Sequence, residues 1–385
     1  EQISLFDEEW SNEGAFTEAS ISGNGRYVAF TSDRDLLGAD VNGNSDVYLA
    51  DRETGSLELI SAASDGSTLA GRSWSPALSD DGRFVAFTSE AGDPDLGAPP
   101  GRGMVLLRDR QAGSTELISA SPTGEPADSG CFHPSISADG NRIAFSSRAD
   151  SLTGEWVQFD SIFLRDRSTG QTQLLTRGHD GSAANSDSFE PAISADGTHV
   201  AFMSVADNLV PGDQVGYVDI FVAEVDTSEI ERVSIGPGGQ EADRESCSPA
   251  ISGNGRFVAF ASAAQNLLPP RMGSNGRAQI FVRDRLIGQT SLATRSVDDF
   301  LADSDCEAPA ISADGLVVSY RSSAGNLSEG GSNGFWQAYV TPAPLAAVRG
   351  AQSVHLGLEQ ELADVDFGSR PAPGRITGTA FFDAN

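Results

Sequence analysis

Oxygen-bearing side chains at alternating positions are the first feature of this chain that could do chemistry. In Asp40-Val41-Asn42-Gly43-Asn44-Ser45-Asp46, the ligand types Asp40, Asn42 and Asp46 flank a glycine that permits a sharp turn. Such a loop can wrap a hard cation such as Ca²⁺, which prefers oxygen donors in a flexible shell. Asp33 and Asp35 stand just upstream as further donors. The loop lacks the closing bidentate Glu of an EF-hand. The expected affinity is therefore weak, on the order of 10⁻⁴–10⁻³ M. The competing reading is an Asx-stabilised turn that needs no metal. Asp213, Gly216 and Asp219 repeat part of the pattern with Val215 in place of the Asn, while Asn275-Gly276 and Asn333-Gly334 keep the turn and lose the acids.

A second set of acids stands ahead of recurring prolines. Asp187, Glu245 and Asp305 lie four residues before Pro191, Pro249 and Pro309. His133 and Glu190 lie one residue before Pro134 and Pro191, Glu307 two before Pro309, and Glu18 one before Ala19 at the matching place. Brought together, these carboxylates would form a ring for a cation or a basic peptide. The plainer reading is a solvated acidic rim. Glycoside hydrolysis would need two carboxylates at a set separation, and nothing in the sequence marks out one pair. Trp74, Phe132 and Phe189, two residues before the same prolines, read as packing residues rather than a sugar platform. Cys131, Cys247 and Cys306 show no CxxC or CxxH spacing and read as small buried thiols. The Asp-Arg pairs at 51–52, 109–110, 166–167 and 284–285 recur at one place and read as turn-stabilising ion pairs. Gly330-Gly331-Ser332-Asn333-Gly334 matches GxSxG, but that motif needs a strand before it and a helix after it, and here it falls in a loop. No catalytic residue is assigned.

The elements that position these residues come from a repeat. PAISADG or a near relative occurs at 19–25, 76–82, 134–140, 191–197, 249–255 and 309–315, in steps of 57, 58, 57, 58 and 60 residues. A constant step of this size means one supersecondary unit used over and over. Each copy reads as four short strands, with Asn-Gly or Asp-Gly between the first two, where both turn residues must tolerate positive φ. The second strand, for example FVAF at 84–87 and 257–260, is apolar on both faces and must lie between two layers. Blades of a propeller, four-stranded sheets packed face to face around a channel, provide that setting. The first strand then lines the channel, and the acids near it stand at one mouth.

The termini point to a closed ring. An apolar residue of the fourth strand lies 16 residues before the next copy in Ile60/Pro76, Ile118/Pro134, Leu175/Pro191, Val233/Pro249 and Ala293/Pro309, and Ile3/Ala19 keeps the same spacing. Residues 1–5 therefore read as a fourth strand without its first three. The sixth copy ends at its third strand, residues 335–340, followed by Pro342 and Pro344. The surplus strand completes the last sheet and removes its open edge. The expected architecture is all-β: a six-bladed β-propeller over 1–345, closed by the N-terminal strand in blade six, with a short C-terminal β tail over 346–385.

PAISADGxxVAF, a loop, DVFVRDRxTG and a strand ending in VS resemble the TolB-like six-bladed propeller repeat, across residues 1–345. The tail, VDFGSRPAPGRITGTAFFDAN, resembles the junction into Cna B-type and SD-repeat adhesin B-type domains, whose opening strand has the form IxGxVFxDxN. That resemblance implies a multidomain surface or secreted chain. It also implies a lone strand able to add to a neighbouring sheet edge and build a fibre.

Composition narrows the function classes. Acids number 55 against 25 bases, for a formal charge of −30, and every base is Arg. A basic face for phosphate is missing, so nucleic acid is not the expected partner. Without Lys there is no Schiff-base amine and no P-loop lysine. No apolar run is long enough to span a membrane. A start at Glu1 without Met, together with abundant Gly, Ser, Asp and Asn, fits a bacterial exported protein: secreted, cell-surface or periplasmic. Three readings follow. The first is a non-enzymatic interaction or structural module of a cell-surface or extracellular assembly, its partner another surface protein or a second copy held through the tail strand. The second is a carbohydrate-active lyase or hydrolase, which requires His133, Glu190 and Glu307 to converge on one ligand. The third is a periplasmic TolB-like envelope partner. For that one the resemblance implies a separate domain ahead of the propeller, which is not seen in this sequence.

Overall fold

The computed structural model describes residues 17–38, 42–92, 97–213, 216–269, 275–296, 300–328 and 335–344. They form an all-β, six-bladed propeller. Blade one holds β1 Thr17–Ile21, β2 Tyr27–Ser32, β3 Asp46–Asp51 and β4 Leu57–Leu59. Blade two holds β5 Ser73–Leu78, β6 Phe84–Ser89, β7 Met104–Asp109 and β8 Ser114–Leu117. Blade three holds β9 Cys131–Ile136, β10 Arg142–Ser147, β11 Ser161–Asp166 and β12 Gln171–Leu174. In blade four are β13 Ser188–Ile193, β14 His199–Ser204, β15 Asp219–Glu224 and β16 Ile230–Arg232. Blade five has β17 Ser246–Ile251, β18 Phe257–Ser262, β19 Gln279–Asp284 and β20 Gln289–Leu292, and blade six has β21 Cys306–Ile311, β22 Val317–Ser322 and β23 Gln337–Pro342. Each blade is an antiparallel meander in sequence order. The sixth has three strands among the described residues. The closing strand expected from residues 1–5, the tail over 346–385 and the GxSxG look-alike all lie outside the described residues.

The blades pack through their second and third strands, the most buried in the molecule. Phe145 and Phe163 are fully buried and stack with ring centroids 6.1 Å apart. Phe30–Tyr48, Phe202–Phe221, Phe260–Phe281 and Tyr320–Tyr339 repeat the pair in other blades. Each such ring contributes roughly 1.5–3 kcal/mol by leaving water. The turns that follow the innermost strands are joined from blade to blade by an arc of five main-chain hydrogen bonds. Gly23 N–H donates to Asp80 O, Asp80 N–H to Ala138 O, Ala138 N–H to Ala195 O, Asp196 N–H to Gly253 O and Gly253 N–H to Ala313 O, at 2.9–3.0 Å.

The innermost strands begin three residues ahead of the repeat proline, earlier than the repeat reading places them. The reason is a β-bulge. In β5, Trp74 pairs with Thr88 and Ala77 with Ala86, so Ser75 and Pro76 together face one residue, Phe87. Proline cannot donate to a ladder and is tolerated where pairing is interrupted. The same shift occurs in β9, β13, β17 and β21. It leaves Ser75, His133, Glu190, Ser248 and Ala308 in the left-handed region, at φ of 48–53°.

Candidate functional site: the channel mouth and the acidic cluster of blade four

The first position of every complete innermost strand from β5 to β21 is Ser or Cys. Its N–H donates to the carbonyl of the residue just ahead of the third strand of the preceding blade. Its side chain meets a Ser at the end of its own second strand: Ser73–Ser89, Cys131–Ser147, Ser188–Ser204, Ser246–Ser262 and Cys306–Ser322. Cys131 and Cys306 thus stand in for serine. Burial pushes both thiols up to about 12, so neither forms a thiolate at neutral pH. All three cysteines are free.

The mouth acids divide by task. Asp187 Oδ1 accepts the N–H of Asp160 at 3.0 Å and lies 3.5 Å from Arg148. Asp305 does the same for Ala278 N–H at 2.9 Å, with Arg277 at 3.5 Å. These two fasten the start of one blade's innermost strand to the preceding blade. Glu307 pairs with Arg321 at 2.9 Å. Glu190 and Glu245 are exposed. Glu190 and His133 are each the third residue of a six-residue innermost strand, and both are exposed. A mid-strand residue on the inner edge reaches solvent through the channel. The half-buried Cys247 thiol, in β17, is raised by burial first and then by the charges of Glu190, Glu307 and Glu245. Three carboxylates, from blades four, five and six, therefore act electrostatically on one thiol of the inner strands.

In the loop proposed for calcium, Asp40 lies outside the described residues. Asn42 Nδ2 donates to Leu69 O at 2.8 Å and lies 3.3 Å from Asp46 Oδ2, while its Oδ1 accepts Asn44 N–H at 2.5 Å. Asp46 is fully buried and its Oδ1 accepts Ser61 Oγ–H at 2.6 Å. Asn275 in blade five does the work of Asn42, donating to Ala302 O at 2.6 Å. Gln279 does that of Asp46, accepting Thr294 Oγ1–H at 2.8 Å.

Blade four brings together what the sequence shows only as a degraded copy of that loop. Asp213, from the β14–β15 connection, and Asp219, the first residue of β15, meet Glu241 from the β16–β17 connection, with ligand atoms within 4.8 Å of one another. Between them sits the Arg232 guanidinium: Nη1 is 2.9 Å from Asp213, 3.4 Å from Asp219 and 3.0 Å from Glu241. The positive charge of the cluster is supplied by the chain itself. Burial raises Asp213 to about 7, reinforced by its hydrogen bond to Glu241, and raises Asp219 to about 6. The signal for this cluster was available. The residue paired with the third position of the third strand is Leu59, Leu117, Leu174 and Leu292 in blades one, two, three and five, and Arg232 in blade four.

A second missed group is the Asn of the NL pairs. Asn208, Asn266 and Asn326 each donate a side-chain amide to the connection entering their own blade, at Ala183, Glu241 and Leu301 carbonyls. Their Oδ1 atoms accept N–H groups from Asn185, Asp243 and Asp303. The Asp-Arg pairs also work differently from the sequence reading. The Asp pairs with an earlier Arg of the same blade, as in Arg26–Asp51, Arg83–Asp109 and Arg256–Asp284. The Arg instead caps the first turn and crosses to the preceding blade, as in Arg110 to Gly82 O and to Glu58 at 2.8 Å. The pair fails as a unit because neighbouring strand residues point to opposite faces.

No family model and no curated relative matches the chain. Among solved structures it is similar to TolB from Acinetobacter baumannii (18% identity, 84% of this chain and 62% of that one, TM-score 0.48). It is also similar to a putative TolB from Agrobacterium tumefaciens (16%, 87% and 93%, TM-score 0.47). A third is prolyl oligopeptidase B from Galerina marginata bound to a 35mer substrate (11%, 87% and 41%, TM-score 0.48). The chain spans about three-fifths of the Acinetobacter protein's length. The assignment of the fold rests on the chain's own six sheets.

Proposed function

We propose that this chain is a non-enzymatic binding module of a bacterial exported assembly, and that its acidic channel mouth receives a positively charged segment of a partner protein. The observation that carries the reading is that Glu190, Glu245 and Glu307, contributed at the inner strands of three consecutive blades, all act electrostatically on the Cys247 thiol. Separate strands on a rigid scaffold hold these charges in place, so a bound cation meets a preformed field. The left-handed bulge adds to this. Glycine or asparagine would be the relaxed choice there, yet Ser, His, Glu, Ser and Ala occupy it, each at a cost of order 1 kcal/mol. Glu307 also pairs with Arg321 at 2.9 Å, so a bound cationic segment competes with that exposed ion pair.

The test is binding of a fluorescent nona-arginine peptide, with nona-glutamate as control. Replacing Glu190, Glu245 and Glu307 together by Gln should weaken nona-arginine binding at least tenfold and leave the thermal midpoint unchanged. Wild-type affinity in the triple variant would refute the proposal.

A further inference from the structure

We propose that blade four carries a proton-operated latch: Asp213 holds the β14–β15 connection onto the β16–β17 connection only while one proton is shared between Asp213 and Glu241. This latch is independent of the mouth, whose acids play no part in it.

The geometry sets up a charge conflict that a proton resolves. Three carboxylates converge on one guanidinium, with side-chain exposures between 1% and 14%. Fully ionised, the cluster holds three negative charges against one positive. Buried like charges this close do not all ionise together. Asp219 cannot leave, because it is the first residue of β15 and its Oδ1 accepts Ser234 Oγ–H at 2.5 Å. Arg232 is fixed in β16; its buried Nε–H has no hydrogen-bond partner among the described residues, and Nη1 carries all three carboxylate contacts. Asp213 and Glu241 both stand on connections, but Glu241 is held by its bridge to Ile235 and by the Asn266 amide on its carbonyl, so Asp213 is the member able to withdraw. The charged groups facing it are Asp219 from β15, Arg232 from β16 and Glu241 from the β16–β17 connection. Blade one lacks the conflict: Asp46 has Leu59 rather than Arg across the blade and a serine hydroxyl and an Asn amide beside it.

The direction with pH follows. Asp213 is raised above its ordinary value by burial and by the hydrogen bond to Glu241. An acid raised on folding contributes stability that is complete below its unfolded value, near pH 4, and is lost as pH rises through its folded value, near 7. The latch is therefore closed in mildly acid solution and released above neutrality. Its release frees the connection that carries the exposed Tyr217.

Thermal midpoints measured from pH 5 to pH 9 in EDTA, with amide exchange read on peptides covering the β14–β15 connection, test this. In the wild type the midpoint should fall by a few degrees across that range, and protection of those peptides should drop at least tenfold beyond the intrinsic pH effect. Asp213→Asn keeps an N–H donor toward Glu241 at every pH and should remove both changes. Should that variant not fold, Glu241→Gln provides the same arrangement from the other side. A wild-type pH slope in the folded variant overturns the latch. So does a wild-type midpoint at pH 8 that millimolar Ca²⁺ restores to its pH 5 value, since a cation rather than a proton would then hold the loop.

Discussion

The two ends of the propeller are built on different principles. The end carrying the tight turns is tied by repeated, near-identical devices. A Ser hydroxyl and an Asp or Asn carboxyl or amide oxygen close each first turn, as in Ser137 to Asp139 and Ser194 to Asp196. Arg–Asp forks clamp the second and third strands, and Arg110, Arg167 and Arg285 each cross to a Glu of the preceding blade. The opposite end carries the long connections, and although some devices recur there, such as the amides of Asn208, Asn266 and Asn326, the blades differ in what they expose and bury. It exposes Trp156, Tyr217, Phe300, Phe335 and Trp336, places His133 and Glu190 on the channel, and buries the Arg232 cluster under blade four alone. The difference teaches where to look for function. Repetition marks what every blade needs in order to pack, and divergence on an unchanged backbone marks what one blade does for the molecule.

The largest effect expected from breaking this contrast is at the tied end. Gly140 has φ of 72°, and a Cβ there would lie 2.3 Å from the Phe84 ring of the preceding blade. Gly140→Ala should lower unfolding stability by about 3 kcal/mol, read from urea midpoints. A loss as small as that of an exposed-loop substitution would mean the turn is not clamped. Arg83→Ala comes next and acts through pH. The Arg83 fork holds the Asp109 carboxyl down to about 2. A depressed acid contributes stability above its unfolded value, near pH 4, and loses it as pH falls toward 2. The wild type should lose stability over that window, and Arg83→Ala should show a shallower acid slope. Cys131→Ser installs the residue that other blades use at that place, so its midpoint should stay within about 0.5–1 kcal/mol of wild type. At the divergent end, Trp156→Ser removes a side chain that is 71% exposed and should not move the midpoint measurably. A clear loss there would show that this end too is structural.

How far the fold could be read from the sequence follows from the same contrast. The repeated end was legible, because its information is local: Asp-Gly turns, VAF strands and their constant step. The bulge was not, since it depends on how a proline meets the neighbouring strand, and the strand starts were accordingly placed too late. Cys131 reads as a small buried thiol in the sequence, and its equivalence to Ser73 and Ser188 is visible only in space. The acids at 187 and 305 read as ligands, yet their oxygens hold the N–H groups of Asp160 and Ala278. Spacing alone cannot distinguish a carboxylate facing a channel from one facing a peptide. Arg232 is not marked by the spacing of the acids; the informative departure is a cation at a position where other blades carry leucine.

The arc of peptide groups that follows the inner strands has a consequence for tolerance to change. Its five described links run from amide to carbonyl, so proline at Asp80 or Ala138 would remove a donor. The glycines are constrained as well: a Cβ at Gly23 would lie 2.2 Å from Asp80 Oδ1, and one at Gly253 3.0 Å from Ala313 O. A designer reshaping the rim has freer choice at Ala138 than at either glycine.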